Sequence, residues 1–317
     1  MTRVTIAEVA RRAGVSPTAV SFAFNRPQEL SPETVKRVLE VAKELGYAPN
    51  PYARALLSRG AGVVGMLVPE KLSDAFENPF YSPFVRGVGA VCDERGLSLM
   101  IVSPREGSLE RAITRAPVDG FLVLGLGERH PDVAPLSRRR VPFVVVDGEA
   151  ESAPSVNIED EAGAYTAASR VLSHGHEAVV VLTFLNPRSH LETPYHDVAS
   201  RRERGYRRAF DEHGISPEDP VEAPRCSIES GEECFEWIRE SGRRPTAVLC
   251  AADALALGVL HAAEKRGIRI PEDLEVAGFD DVPMAALSRP ALSTVRQPIL
   301  EKGRIAARLL TDALEHG

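Results

Sequence analysis

The chain has 317 residues, 44% of them hydrophobic and 26% charged, with a net charge of −7, a length that accommodates two or three domains and a large core. No uncharged apolar run of about 18 residues occurs, and the opening M-T-R-V-T-I-A-E lacks a basic-then-apolar layout, so no membrane span or secretory leader is expected and the cytoplasm is the expected compartment. Cys92, Cys226, Cys234 and Cys250 form no C-x-x-C pair, which suits reduced thiols better than disulfides or zinc.

Charge is unevenly spread. Residues 1–60 hold nine Lys and Arg against five Asp and Glu, a net of +4, while the remainder carries −11. A basic head on an acidic body is the layout that a polyanion partner calls for, because phosphate neutralisation supplies most non-specific affinity for nucleic acid.

Thr5-Ile6-Ala7-Glu8 is a capping box that opens a helix over about Ile6–Ala13, and Gly14 stops it. After Val15, Ser16 supplies an N-cap and Pro17 the first helical position, so the pattern is helix, short turn, helix. A third helix opens the same way at Ser31-Pro32, runs on Val35, Val38, Leu39, Ala42 and Leu45, and ends at Gly46. Asn50-Pro51 starts a short fourth helix that Gly60 closes. Within the second helix Val20, Ala23 and Phe24 share a stripe that Ile6, Val9, Ala10 and Val15 cover. Phe22 lies about 200° round from Val20 and is expected to face outward, with Pro17, Thr18, Ser21 and Asn25 on or near the same face. Packing of Phe22 on its own loop or on the third helix is the competing reading.

From Gly62 apolar runs alternate with helical stretches. Strands are expected at Val63–Val68, Leu97–Val102, Gly120–Leu124 and Phe143–Val146, with a helix over Phe84–Arg95, then at Ala178–Leu182, Ala247–Cys250 and Leu274–Ala277. Such alternation means parallel sheet covered on both faces, and two series mean two lobes with a ligand cleft at the strands' carboxyl ends. There is no P-loop and no G-x-S-x-G, and Gly125-Leu126-Gly127 does not continue as G-x-G-x-x-G. No catalytic residue, cofactor or metal ligand is therefore expected, and an enzyme with a DNA-binding head is the least supported alternative. His174-Gly175-His176 reads as a helix-to-strand turn in preference to a metal pair. His190 and His196, in a polar loop with Tyr195 and Asp197, read as solvent-facing.

The run Val4-Thr5-Ile6-Ala7-Glu8-Val9-Ala10-Arg11-Arg12-Ala13-Gly14-Val15-Ser16, followed by Val20-Ser21, Asn25 and Gly46-Tyr47-Ala48-Pro49-Asn50, resembles the headpiece of the lactose-repressor (LacI/GalR) family. The resemblance implies that the second helix lies in the major groove of an operator and that the fourth pushes a leucine, here Leu56, into the minor groove. The DNA-contacting positions it implies are Thr5, Ser16, Pro17, Thr18, Ser21, Phe22, Asn25, Ser31, Thr34, Tyr47, Asn50, Ala53, Arg54 and Leu56. Arg3, Arg26, Lys36, Arg54 and Arg59 would hold phosphates. The family's usual Thr and Arg in the second helix are Ala19 and Phe22 here, which exchanges a bidentate guanine contact for a ring that can touch only a thymine methyl or another apolar edge.

The body is similar to the same family's core, itself like periplasmic sugar-binding proteins, through Asn78-Pro79-Phe80, Val118-Asp119-Gly120, Gly278-Phe279-Asp280-Asp281 and Thr294-Val295-Arg296-Gln297-Pro298 among other stretches. The implied fold is a small all-α helix-turn-helix head (1–49), a hinge helix and linker (50–60) and an α/β core of two parallel-sheet lobes (61–317). Its N-lobe would span about 61–158 plus about 291–317, and its C-lobe about 159–290. The implied function is a ligand-responsive repressor that binds a palindromic DNA operator as a homodimer. The alternative is the same role under a protein partner's control or under none. A small-molecule effector, a sugar or related polar metabolite, would meet Arg202 and Asp280 as polar clamps, Phe80 and Tyr81 on the N-lobe wall, and Asp147 and Asp253 at the cleft. Three departures argue against a standard hexose site: Ala252 replaces an Asn, Cys226 stands where an aromatic ring stacks, and Glu159-Asp160 replaces a D-N pair. Lys71–Glu77 is an insert near the mouth.

Overall fold

The computed structural model describes residues 4–48, 60–105, 108–184 and 195–316, and the chain divides into two units, Met1–Gly62 and Val63–Gly317. In the first, helices α1 (Ile6–Ala13), α2 (Pro17–Asn25) and α3 (Pro32–Glu44) follow the capping signals, with one 3-10 turn at Pro27–Glu29. Thr5 N donates to the Glu8 carboxylate at 2.8 Å while Thr5 Oγ1 accepts from Glu8 N. Ser16 Oγ accepts from Ala19 N at 3.1 Å, and Ser31 Oγ from Thr34 N at 3.3 Å; each such cap contributes roughly 1 kcal/mol. Val9, Ala10, Ala13, Val20, Ala23, Val38 and Ala42 are the buried core. Phe24 packs at its rim on Tyr47, ring centroids 6.0 Å apart. Leu39 departs from the expected stripe: it is 40% exposed, because with Val35, Pro27 and Leu30 it lines an open surface groove.

The second unit holds two five-stranded, fully parallel sheets. The first comprises β1 (Val63–Leu67), β2 (Ser98–Val102), β3 (Gly120–Leu124), β4 (Phe143–Val146) and β5 (Ser155–Val156) in the order β2-β1-β3-β4-β5. The second comprises β6 (Val179–Thr183), β7 (Val221–Glu222), β8 (Ala247–Cys250), β9 (Glu275–Asp280) and β10 (Ser293–Arg296) in the order β10-β9-β8-β6-β7. The central strands β3, β4, β6 and β8 are buried at every residue, as strands covered on both faces must be.

One boundary moves. The return to the first lobe was expected at about 291, but β10 pairs with β9, Ser293 beside Ala277 through Arg296 beside Asp280, so it belongs to the second lobe. Only helix Ile299–His316 goes back, packing along helix Tyr81–Arg95. At that crossing Gly87 faces the Leu300 carbonyl and Gly303 the Phe84 carbonyl so closely that a Cβ at either would collide with backbone. Among the described residues no helix is long and apolar enough to cross a membrane.

Candidate nucleic-acid interface and interlobe cleft

Helix α2 carries no charged side chain between Pro17 and Asn25. Ser16, Pro17, Thr18 and Asn25 are exposed and Ser21 and Phe22 half-buried, so one side of the helix presents hydroxyls, an amide and a phenyl ring. Asn25 Nδ2 donates to the Ser21 carbonyl at 3.0 Å, so the amide nitrogen is engaged within the helix. Phe22 stands outside the buried core. The Arg26 guanidinium lies 6.0 Å from its ring centroid and pairs with Glu29 at 3.2 Å, which places a cation at the C-terminal end of an otherwise neutral helix.

The hydroxyls that open α1 and α3 are committed. Thr5 Oγ1 donates to Glu8 at 2.9 Å, and Ser31 Oγ lies 2.9 Å from Thr34 Oγ1. What these positions offer a phosphate is the helix N-terminus itself, where unpaired N–H groups and the dipole favour an anion. Tyr47 is half-buried against Phe24. Asn50, Ala53, Arg54 and Leu56, with Arg3 and Arg59, lie outside the described residues.

Between the two sheets of the second unit, a cavity of about 50 Å³ is lined by Glu70, Asn78, Phe80, Asp147, Phe184, Tyr195, Val198, Arg202, Cys226, Ala252, Asp280 and Gln297. Four of the six expected effector residues line it: Phe80, Asp147, Arg202 and Asp280. Tyr81 and Asp253 do not. Tyr81 is buried, its hydroxyl bonded to Tyr195 and to Glu70 at 3.2 Å. Asp253 is also buried, accepting from Val282 N at 2.9 Å and Thr294 Oγ1 at 2.5 Å, so it ties the loop after β9 to β10.

The polar lining is chained from lobe to lobe. Lys302, 2% exposed, reaches from the returning helix to Asp147 at 2.7 Å and to Gln297 Oε1 at 2.6 Å. Gln297 Nε2 donates to Asp280, which lies 3.6 Å from Arg202 Nη1. Arg202 donates to Asp160 at 2.9 Å and to the Ala251 carbonyl at 2.5 Å, with its guanidinium 3.7 Å from the Phe279 ring centroid. Arg201 closes the chain on Asp160 at 3.0 Å. The clamps expected for a ligand thus hold one another. About 50 Å³ admits one or two waters, far below the roughly 300 Å³ and upward of small-molecule sites.

Other contacts keep the lobes together. Tyr195, in the loop where His190 and His196 were expected to face solvent, donates its N–H to the Gly125 carbonyl at 2.6 Å, and its ring packs where a Cβ of Gly125 would stand. Gly125, at φ +65°, therefore answers to close approach and backbone conformation, with no nucleotide loop. His196 is half-buried, with Nε2 3.3 Å from Ser200 Oγ, and His190 lies outside the described residues. Asp197 accepts from Glu149 N at 2.8 Å, Asn78 Nδ2 donates to Cys226 Sγ at 3.4 Å, and Glu77 of the insert pairs with Arg225 at 3.5 Å. Asp147, Tyr195, Asp280 and Asp281 all have positive φ, the kind of backbone strain that concentrates at ligand sites and switches.

Burial dominates the electrostatics. It pushes the Asp280 carboxyl up to about 7, against the opposing pull of Arg202. It raises Glu70 despite hydroxyls from Tyr81 and Tyr195, and raises the Cys226 thiol far enough to keep it protonated and unreactive at neutral pH. An unfolded Asp titrates near 3.8. Raising the pH from there through about 7 thus removes a proton that the folded chain holds more tightly, and the folded state loses stability over that window. Asp280→Asn, which keeps the acceptor for Gln297, should raise the melting temperature at pH 8 by several degrees more than at pH 5. An equal change at both values would refute the shifted titration.

Sequence reasoning missed Glu70, Phe184 and Lys302. Glu70 and Lys302 are charged residues in segments where charge is ordinarily solvated. Phe184 follows β6 directly, and that position at a strand's carboxyl end was the available signal.

The amino-terminal region matches the family model for bacterial regulatory proteins of the lacI family over residues 5–50, and residues 168–317 match a periplasmic binding protein-like domain. The chain is 38% identical to an HTH-type transcriptional regulator of Mycobacterium tuberculosis over 97% of its own length and 90% of that protein's. It is 32% identical to catabolite control protein A of Priestia megaterium, covering 97% and 92%. Among solved structures it is similar to a complex of the transcriptional regulator CelR with cellobiose, with a TM-score of 0.68 and 30% identity over 99% of this chain and 94% of that one.

Proposed function

Because this chain belongs to the LacI family and is a DNA-binding transcriptional regulator, we propose that it acts as a repressor, binding a two-fold symmetric operator as a homodimer through the outer face of α2. The observation that carries this reading is the neutral, polar face of Thr18, Ser21, Phe22 and Asn25 on a helix whose N-terminus is free of side-chain charge. Cations for the phosphates come from elsewhere on the head: Arg26 and Lys36 are exposed. Phosphate contacts then supply affinity and α2 supplies discrimination. Operator affinity should fall on the order of 10³-fold or more between 50 and 200 mM salt; salt-insensitive binding would contradict the reading.

Phe22 sets the base preference. Replacing it by Arg should move one symmetric pair of operator positions toward guanine, with about 1–3 kcal/mol of discrimination. An unchanged motif would assign Phe22 to packing.

The cleft takes a small polar effector once the lobes separate. Phe80 and Phe184 supply aromatic surface, and Asp147, Arg202 and Asp280 supply polar groups at the same point. A thermal-shift screen of sugars and related metabolites should find at least one compound that raises the melting temperature. One observation favours a second reading: every clamp is already satisfied by a neighbour in a cavity of about 50 Å³. If no compound in the screen shifts the protein, control by a protein partner or constitutive binding takes its place.

A further inference from the structure

A second polar cluster lies at the edge of the second lobe opposite the cleft, at the amino ends of β6, β8 and β9. Gly175, at φ +87°, turns the chain between helix Asp160–Leu172 and β6, and the histidines on either side of it converge on one atom. His174 Nδ1 is 2.8 Å and His176 Nε2 2.9 Å from Glu275 Oε2, on the first residue of β9. The His176 and Glu275 side chains are 19% and 18% exposed.

His176 Nδ1 lies 2.9 Å and the Ala178 carbonyl 3.3 Å from Thr246 Oγ1, whose single proton can go to either. Donated to His176, it leaves Nε2–H to bond Glu275; donated to Ala178, it makes Thr246 the acceptor and puts the His176 proton on Nδ1. In the second case a neutral His176 turns the Nε2 lone pair toward a carboxylate oxygen 2.9 Å away, and two facing lone pairs repel unless a cation lies between them. A second proton on His176 is one solution. A metal ion is the other, and it leaves both rings neutral.

We propose that His174, His176 and Glu275 bind a divalent transition metal of the zinc class, with Thr246 as the residue that orients His176. The three donor atoms lie within 4.8 Å of one another. Ligands in a tetrahedral zinc site stand roughly 3.4 Å apart, given Zn–N and Zn–O bonds of about 2.1 Å, so the nitrogens and the oxygen need separate by only about half an ångström. Two imidazole nitrogens and one carboxylate oxygen suit Zn²⁺ better than Mg²⁺ or Ca²⁺, which take oxygen ligands. The chain from His176 through the Thr246 hydroxyl to the Ala178 carbonyl is the outer support that metal-binding histidines use. Arg170 lines the groove that His174 and Glu275 share and is the neighbouring cation that opposes binding. A bound ion would fasten the turn after the helix to β9, and would raise the stability of the second lobe without touching the cleft.

The test uses the full chain, stripped with a chelator and titrated with Zn²⁺ and Co²⁺. The expected result is one tightly bound equivalent, an intense visible Co²⁺ spectrum of low-symmetry coordination and a raised melting temperature. Glu275→Gln and His176→Gln should each weaken binding by about tenfold or more, and Thr246→Val by about tenfold. Chelator-treated variants with unchanged circular dichroism serve as folded controls. No binding by the unsubstituted chain, or affinity in Glu275→Gln and His176→Gln equal to that of the unsubstituted chain, overturns the proposal.

Discussion

Arg202→Met should destabilise the chain by about 3–5 kcal/mol, the largest single-residue effect expected outside the glycine crossings. Arg202 is 4% exposed and faces Asp160 and Asp280 at once, with Asp160 fully buried. Removing the guanidinium leaves the Asp160 carboxylate in a low-dielectric interior with Arg201 alone, and leaves Asp280, which burial already raises to about 7 against the pull of Arg202, to take up a proton. The loss comes mainly from stranded charge, because replacing a whole buried ion network by apolar groups is often neutral. Arg202→Lys should recover only part of it, since a single ammonium cannot reach Asp160, the Ala251 carbonyl and Asp280 together or lie flat on Phe279. Urea unfolding of the three proteins measures this directly, and a loss below about 1 kcal/mol for Arg202→Met would show that the network relaxes or takes up water.

Lys302→Met is the second. Lys302 sits on the helix that returns to the first lobe, and Asp147 at the end of β4 relies on it. The substitution should cost about 3 kcal/mol or more by leaving Asp147 buried and uncompensated, and Lys302→Met with Asp147→Asn should restore much of that. A double-mutant cycle reports the coupling, which should be about 1–3 kcal/mol for groups in direct contact. Additive single effects would mean that the pair does not act as a unit.

The fold was legible where local physics and tertiary fate agree. Capping at Thr5, Ser16 and Ser31 is a matter of hydroxyl and backbone within three residues, and the buried strands β3, β4 and β8 are continuous apolar runs that have no other use. β5 and β7 were not legible, because two residues carry no period. Nor was β10: as an edge strand, exposed at Ser293 and Arg296, it lacks the apolar run of its neighbours. Phe80, Asp147, Arg202 and Asp280 could be named only through the family resemblance, by their places in the stretches that carry it; Arg202 itself lies well inside helix His196–His213. Their mutual engagement could not, since it depends on Lys302 and Gln297 folding back from distant sequence. The same limit applies to His174 and His176. A turn is the correct local description, and only the pairing of Ala247 beside Glu275 in the sheet brings the carboxylate to them.

The central claim, that α2 reads a two-fold operator with a neutral, ring-bearing face, is tested most directly by selecting bound sites from random duplex DNA with the full-length protein. The expected outcome is one enriched palindrome whose half-sites place thymine at a symmetric position opposite Phe22, with that preference moving toward guanine in Phe22→Arg. Enrichment of no motif, or of an asymmetric one indifferent to position 22, would contradict it.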